Sequence, residues 1–217
     1  MRKNLAGETM QTEAQVNIRI RQMKESDIVA LERVVHEAYR GGQADVAWKN
    51  EHDIVSGPRI TQDGLRELLY CNDSIVLVAE RGADSANGLS SPELCGSVLV
   101  ERDLEFEAEK IPESETYRSI DSKICSTVVI GMLAVSPTAQ NIGLGRLLVT
   151  AAEKLAKERF GATRAHMHVA SVRDELMQWY DRLGYSQTGV VKPFPGPEAG
   201  IQALKENLQF VVIEKRL

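Results

Sequence analysis

The chain reads as a single mixed α/β domain, and three observations carry that reading. Apolar residues recur with a helical period in about four segments and as alternating or short continuous strand patterns in about seven, interleaved along the chain. No composition break divides the 217 residues, a length that suits one large domain or two small ones. A hydrophobic fraction of 43% supplies a real core, so disorder is excluded for most of the chain.

Residues 1–15 are polar and read as a flexible tail, leaving a domain over 16–217. Order begins at Val16-Asn17-Ile18-Arg19-Ile20, whose strict alternation has the period of a half-buried strand. Ser26 and Asp27 stand at N-cap and first-turn positions of an amphipathic helix carrying Ile28, Leu31, Val34, Val35 and Ala38, and Gly41-Gly42 stops it. A polar connection leads from Gly42 to Ile60, followed by a helix over Thr61–Cys71 with Leu65, Leu68 and Leu69 as its buried stripe. Ser74–Glu80 and Leu94–Val100 read as buried strands joined by the Ser/Asn/Gly/Pro-rich segment 83–93. A further strand is expected over Thr127–Val135, and the 101–126 connection before it, longer than the ~12–15 residues usual in compact domains, reads as a lid or an insertion. Leu144–Phe160 is the strongest helix, with Leu144, Leu147, Leu148, Ala151, Ala152 and Leu155 on one face and Gly161 as its C-terminal cap. Ala165–Val169, Thr188–Val191 and Leu208–Glu214 read as strands, and Asp174–Leu183 as a helix ending at Gly184. The Lys192-Pro-Phe-Pro-Gly-Pro run is expected to be an irregular loop, because its prolines remove ladder donors.

A net charge of -5 argues against non-specific binding to nucleic acid or anionic membrane, which draws on Lys and Arg neutralising phosphates. Residues 101–116 hold seven acids against Arg102 and Lys110, enough to account for the whole net charge. That stretch is expected to draw cationic molecules toward a neighbouring site. No apolar run reaches the ~18 residues of a membrane span, and the N-terminus lacks the apolar centre of a secretory signal. Cys71, Cys95 and Cys125 have neither disulfide-framework nor zinc-site spacing, so a cytoplasmic location and core positions for all three are expected.

Chemistry concentrates where the strand over Thr127–Val135 turns through Ser136-Pro137 into Gln140-Asn141-Ile142-Gly143-Leu144-Gly145-Arg146 and the strong helix. Unpaired backbone N–H groups converge at such a helix start, and its dipole favours an anion. A Cβ at Gly143 or Gly145 would obstruct close approach of a pyrophosphate, and Arg146 adds a cation. A nucleotide P-loop requires Lys-Ser/Thr where Arg146-Leu147 stands, and a dinucleotide fingerprint requires a third Gly where Leu148 stands.

The Gln140-x-x-Gly143-x-Gly145 pattern, with Leu133-Ala134-Val135 before it, resembles the acyl-CoA site of the GNAT acetyltransferase superfamily. A second motif, Trp179-Tyr180-Asp181-Arg182-Leu183-Gly184-Tyr185, is similar to the late helix of that family, and the element order agrees over 16–217. The resemblance implies a mostly antiparallel sheet of about seven strands flanked by about four helices. It implies that Leu133, Ala134 and Val135 splay from their neighbour to meet the pantetheine amides. Gln140, Asn141, Ile142, Gly143, Leu144, Gly145 and Arg146 then take the pyrophosphate of acetyl-CoA, and no metal is involved. Tyr180 either protonates the departing thiolate or packs beside the sulfur.

Two departures stand out. Arg173 replaces an Asn common seven positions before the Tyr, and Thr127–Val135 contains no acid to serve as general base. His166 and His168 are the candidates left on the next strand, each with packing as the alternative. For the acceptor, the resemblance points to the first two helices and their connection, which carries Trp48, Glu51, His52, Asp53 and Arg59, with Arg40 ending the preceding helix. Glu51 suits an ammonium or a base and Arg59 a substrate carboxylate, against the alternative of a solvated loop with an internal ion pair. Phe194 on its proline loop closes over the acceptor or is simply exposed. The implied activity is acetyl transfer from acetyl-CoA to a primary amine of a small molecule, the family's subgroup being one common in fungi and bacteria. A non-catalytic acyl-CoA-binding module and an acetyltransferase of protein N-termini or lysines are the alternatives, and a homodimer is compatible with each.

Overall fold

The computed structural model describes residues 17–41, 51, 53–82, 91–104, 126–195 and 200–217. The expected tail, Trp48, His52, Cys125 and the acidic residues 105–115 lie outside the described residues. A seven-stranded sheet has the order β1-β3-β4-β5-β6-β9-β7, from β1 (Ile18–Gln22), β3 (Ser74–Arg81), β4 (Glu93–Arg102), β5 (Thr127–Val135), β6 (Arg164–Ala170), β7 (Ser186–Pro193) and β9 (Gln209–Arg216). Every pairing is antiparallel except β5 with β6. The expected strand count, helix count and mostly antiparallel sheet are observed.

Helices cover both faces of the sheet, each over its own apolar cluster. On one face, α3 (Leu144–Phe160) packs Leu144, Leu148, Ala152 and Ala156 against Val98, Val100, Val128 and Ile130. On the other, α1 (Ile28–Arg40) and α2 (Gln62–Tyr70) pack Ile28, Leu31, Val35 and Leu65 against Val76, Val78, Leu99, Met132 and Ala134. Burial of each Leu or Ile removes it from water for roughly 1.5–3 kcal/mol, which these short helices need because propensity alone does not hold them. The buried face of α3 follows an i, i+4 row, and Leu147, expected on it, is 49% exposed. α4 (Asp174–Asp181) contributes the buried Tyr180.

β5 contributes Val128 and Ile130 to one face and Met132 and Ala134 to the other, although all four have the same parity. The cause is a bulge: between the pairs Leu99↔Gly131 and Ser97↔Ala134, Met132 and Leu133 stand opposite Val98 alone. Met132 has φ 44, and its carbonyl accepts from the Ser97 hydroxyl at 3.2 Å. An extra residue reverses the side-chain alternation beyond it.

Several boundaries differ from expectation. A 3-10 turn, Glu25–Asp27, precedes α1, and Asp27 is the N-cap residue of α1 but makes no side-chain cap hydrogen bond to it. Its carboxylate instead accepts from the Lys24 N–H at 2.7 Å and bidentately from Arg21, which also pairs with Glu80. The polar connection before α2 contains β2 (Val55–Ser56), paired with β8 (Gln202–Ala203). Lys192 and Pro193, expected in a loop, extend β7, whose edge position leaves the missing proline donor harmless. Cys95 is buried, but Cys71 is exposed at the end of α2 rather than in the core. β4 runs through Arg102, so Glu101 belongs to the sheet and not to the acidic connection. Among the described residues no helix is long and apolar enough to cross a membrane.

Asp103 is also structural. Its carboxylate meets His166 Nδ1 at 2.8 Å, and His166 Nε2 meets Glu214 at 3.1 Å, with Arg164 on the far side of Glu214 at 3.0 Å. Burial favours the neutral imidazole, but the bonds to Asp103 and Glu214 outweigh it, so the His166 pKa is raised. Stability from this imidazolium is therefore complete below the unfolded-state pKa of about 6.5 and is lost as pH rises through the higher folded value. The urea midpoint should fall over that interval in the native protein, and His166→Gln should flatten the fall. An identical pH profile in both proteins would rule the clamp out.

Candidate active site

Pairing between β5 and β6 covers only Thr127–Val129 with Arg164–His166. Beyond Val129 the two strands separate, and the gap opens into a cavity of about 840 Å³ lined by Gly131, Leu133 and Val135 on one side and Met167, His168 and Val169 on the other. Strands that part leave ladder N–H and C=O groups facing the gap, ready for a ligand that carries amides. Leu133 and Val135 thus line the cavity, while Ala134 is buried on the α1 side.

At one end of the cavity lies the loop from Gln140 to Arg146. Asn141 and Gly143 are left-handed, with φ 64 and φ 81, and Gly143 is the N-cap of α3. The Gln140 amide donates to the Val135 carbonyl at 3.3 Å, tying the loop to the strand. α3 thus begins at the cavity, and the first N–H groups of a helix have no carbonyl one turn earlier. A Cβ at Gly145 would stand 3.5 Å from the Trp179 ring, so the loop and α4 are in close contact there. Gly143, Leu144, Gly145, Arg146, Gln140 and Asn141 all line the cavity; Ile142 is exposed beside it. The arrangement fits the pyrophosphate and pantetheine of acetyl-CoA: backbone donors and a cation at one end, unpaired strand amides along the gap.

Tyr180 stands at the junction. It is 6% exposed, its ring is edge-on to Trp179 at 4.9 Å and to Tyr185 at 5.9 Å, and burial holds its phenol pKa above the usual range. Such a phenol stays protonated at neutral pH and is a donor, not a base. Tyr185 is itself anchored, donating to Glu153 at 3.0 Å, while Lys215 reaches the same carboxylate at 2.8 Å.

The other end of the cavity is walled by the end of α1, the segment after it, β4, β6 and Phe194. Glu51 accepts from Arg40 at 3.1 Å and pairs with Arg173 at 3.7 Å, and Arg173 also bonds Glu175 at 2.8 Å. Arg40 donates to the Gly57 carbonyl at 2.9 Å, fixing the connection on α1. Arg59 lies 5.3 Å over the Tyr39 ring and makes no ion pair with a described carboxylate. Phe194 packs on Phe210 at 5.0 Å, and Phe210 lies 6.2 Å from His168. Glu51, Arg59 and Phe194 therefore converge on one chamber although they are far apart in sequence. His168 faces the same chamber, whereas His166 lines a separate cavity of about 370 Å³ beside Asp103 and Glu214. Sequence reasoning missed Glu101, Tyr39 and Phe210, which also line the chamber. Glu101 was hidden among the acids that follow it, and only its parity with Leu99 on β4 marks it as facing α1. Among the described residues no group of three or more acids, histidines or cysteines has metal-site geometry.

The strand gap joins a glycine-bearing helix N-terminus at one end to a polar chamber at the other within one cavity. The acetyltransferase (GNAT) family model matches residues 119–185, which include the strand, the loop, α3 and α4. A search of curated proteins finds no match. Among solved structures, a GNAT-family acetyltransferase from Streptococcus pneumoniae is 15% identical, with a TM-score of 0.57 over 93% of this chain and 100% of that one. Arabidopsis thaliana NAA60 in complex with acetyl-CoA is 16% identical, with a TM-score of 0.60 over 93% and 99%. Spermidine N-acetyltransferase from Vibrio cholerae, in complex with CoA and spermine, is 14% identical, with a TM-score of 0.58 over 92% and 95%. These likenesses establish the fold. The family model shows that residues 119–185 are similar to the acetyltransferase (GNAT) family.

Proposed function

We propose that the chain transfers an acetyl group from acetyl-CoA to a primary amine of a small molecule by direct attack on the thioester. The observation that carries this reading is the continuity of the cavity from the Gly143–Gly145 loop, past Tyr180, to the chamber. A nucleophile entering from one end meets a carbonyl delivered from the other, which replaces a bimolecular encounter by a positioned one. Tyr180 protonates the leaving sulfur, and a backbone N–H near Val135 steadies the oxyanion. Cys71 is exposed on α2 and Cys95 is buried in the core cluster, neither lining the cavity, which supports direct transfer over an acyl-cysteine step. Arg59 receives an anionic group of the acceptor, and Phe194 with Phe210 forms its apolar wall. Glu51 acts through Arg40 and Arg173, holding two guanidiniums at the chamber. The free thiols of Cys71 and Cys95 support a cytoplasmic location within the same proposal.

The test mixes protein, acetyl-CoA and a panel of small amines, amino acids and peptides, and follows free thiol. We expect small primary amines to accelerate thiol release. Saturable acetyl-CoA binding with no amine-dependent release identifies a binding module, and release with peptides alone identifies a protein acetyltransferase. Either outcome overturns the proposal.

A further inference from the structure

Direct transfer needs an unprotonated amine, yet an alkylammonium has a pKa near about 10 and β5 carries no acid. The chamber supplies three carboxylates or near neighbours to consider. Glu51 is held by Arg40 and Arg173, and Asp103 is held by His166. Glu101 is different: it lines the chamber, is half-buried, and among the described residues makes no hydrogen bond or ion pair.

Its place in the sheet is equally specific. Glu101 pairs across the ladder with Val129, and Val129 with His166 is the last pair between β5 and β6. Directly opposed residues share a face, so Glu101 stands on the α1 side of the sheet at the vertex where the two strands begin to part. The ladder neighbours on that face are Leu99 and Gly131, and the absent side chain at Gly131 leaves open space, with no heavy atom within 4 Å of a built Cβ. Between Glu101 and the diverging strands there is therefore room for a substrate nitrogen.

We infer that Glu101 is the general base of the acetyl transfer, binding the acceptor ammonium and taking its proton at the vertex of the strand gap. The inference rests on the proposed acetyltransferase reading. The ammonium gives one proton to the Glu101 carboxylate, the freed lone pair forms the C–N bond, and collapse breaks the C–S bond. Tyr180 gives its phenolic proton to the sulfur, the nitrogen sheds its second proton to restore the phenol, and Glu101 returns the first to solvent. The products are the amide, the free thiol and one proton, which balances the charge of the ammonium.

The electrostatics suit this task. Burial pushes the Glu101 carboxyl above the usual range, Arg59 opposes and Asp103 adds to the rise. Of the other titratable or charged groups there, Tyr39 lies beneath Arg59, Arg40 and Arg173 pair with Glu51, and His168 lies 6.2 Å from Phe210. A base with a raised pKa accepts a proton more readily than an ordinary surface glutamate.

The test compares the native chain with Glu101→Gln and Glu101→Asp, using the best small amine of the panel at saturating acetyl-CoA. Glu101→Gln should lower kcat/KM for the amine about 100-fold at pH 7, leave the acetyl-CoA Kd unchanged, and remove the acid limb of the native profile. Its rate should then climb with pH as the free amine itself appears, and Glu101→Asp should restore part of the loss. Native rate and an unchanged acid limb in Glu101→Gln overturn the inference while leaving the acetyltransferase reading intact. If the native chain acetylates no amine, that reading fails, and Glu101 is judged by carboxyl-13C titration with methylammonium as the probe. A Glu101 signal that titrates above the other glutamates and moves down when methylammonium is added supports an ammonium site. An ordinary titration, indifferent to methylammonium, defeats it.

Discussion

Gly143→Glu is expected to weaken acetyl-CoA binding at least about 1,000-fold while leaving the circular dichroism native. Gly143 sits at φ 81 with nothing within 4 Å of a built Cβ, so the substitution meets no clash. The left-handed backbone makes any L side chain strained there, by roughly 1–2 kcal/mol, too little to unfold a domain of this size. The new carboxylate, in contrast, stands at the N-cap of α3, where it competes for the helix N–H groups and repels the pyrophosphate. One charge pair at about 5 Å and an effective dielectric near 20 is worth roughly 3 kcal/mol, and the pyrophosphate carries more than one charge. Gly143→Ala has the strain without the charge and should lose far less. Calorimetric titration of both variants with acetyl-CoA decides the matter: retained native affinity in Gly143→Glu removes the phosphates from this loop.

Tyr180→Phe should lower kcat by roughly 100- to 1,000-fold with little change in acetyl-CoA Kd. The ring is held by Trp179 and Tyr185, and Tyr185 by Glu153 and Lys215, so Phe keeps the packing and only the hydroxyl is lost. That hydroxyl makes no hydrogen bond among the described residues, and its deletion leaves no partner stranded. Because burial raises the phenol pKa, the native enzyme should hold its donor well into alkaline pH. An acetyl donor with a better thiolate leaving group, such as an activated aryl thioester, should be much less sensitive to the substitution, since an aryl thiolate needs no proton to depart. An unchanged turnover in Tyr180→Phe would falsify the acid role and leave Tyr180 as packing.

The elements of the cosubstrate side are local, and local patterns describe them. β5 and α3 carry the bounds that their own periodicity predicts, Thr127–Val135 and Leu144–Phe160, and Gly161 is left-handed as a cap. Gly143, with φ 81, marks a left-handed turn between them that few other residues permit. The acceptor chamber is different, since Tyr39, Glu51, Arg59, Glu101, His168, Arg173 and Phe194 come from elements spread over the chain. No short pattern announces a meeting of seven separated positions.

Glu101 and Glu51 show where a sequence pattern misleads. Both are acids in polar surroundings along the chain, and their local sequence does not say which of them an arginine neutralises. Glu51 is taken by two arginines, one of them 122 positions later, and Glu101 is left facing the gap. The bulge at Met132 makes the same point for the backbone: the β-branched run Thr127–Val135 specifies a strand, but the reversal of its faces comes from pairing two residues against Val98. The sequence by itself determined a mixed α/β domain, its strands and helices, and the strand-loop-helix that resembles a CoA site, because those depend on periodicity, caps and glycines within a few residues. Only the tertiary structure decided which carboxylates are neutralised, which histidine is clamped and where the sheet opens, because ion pairing and strand register are contacts between distant segments.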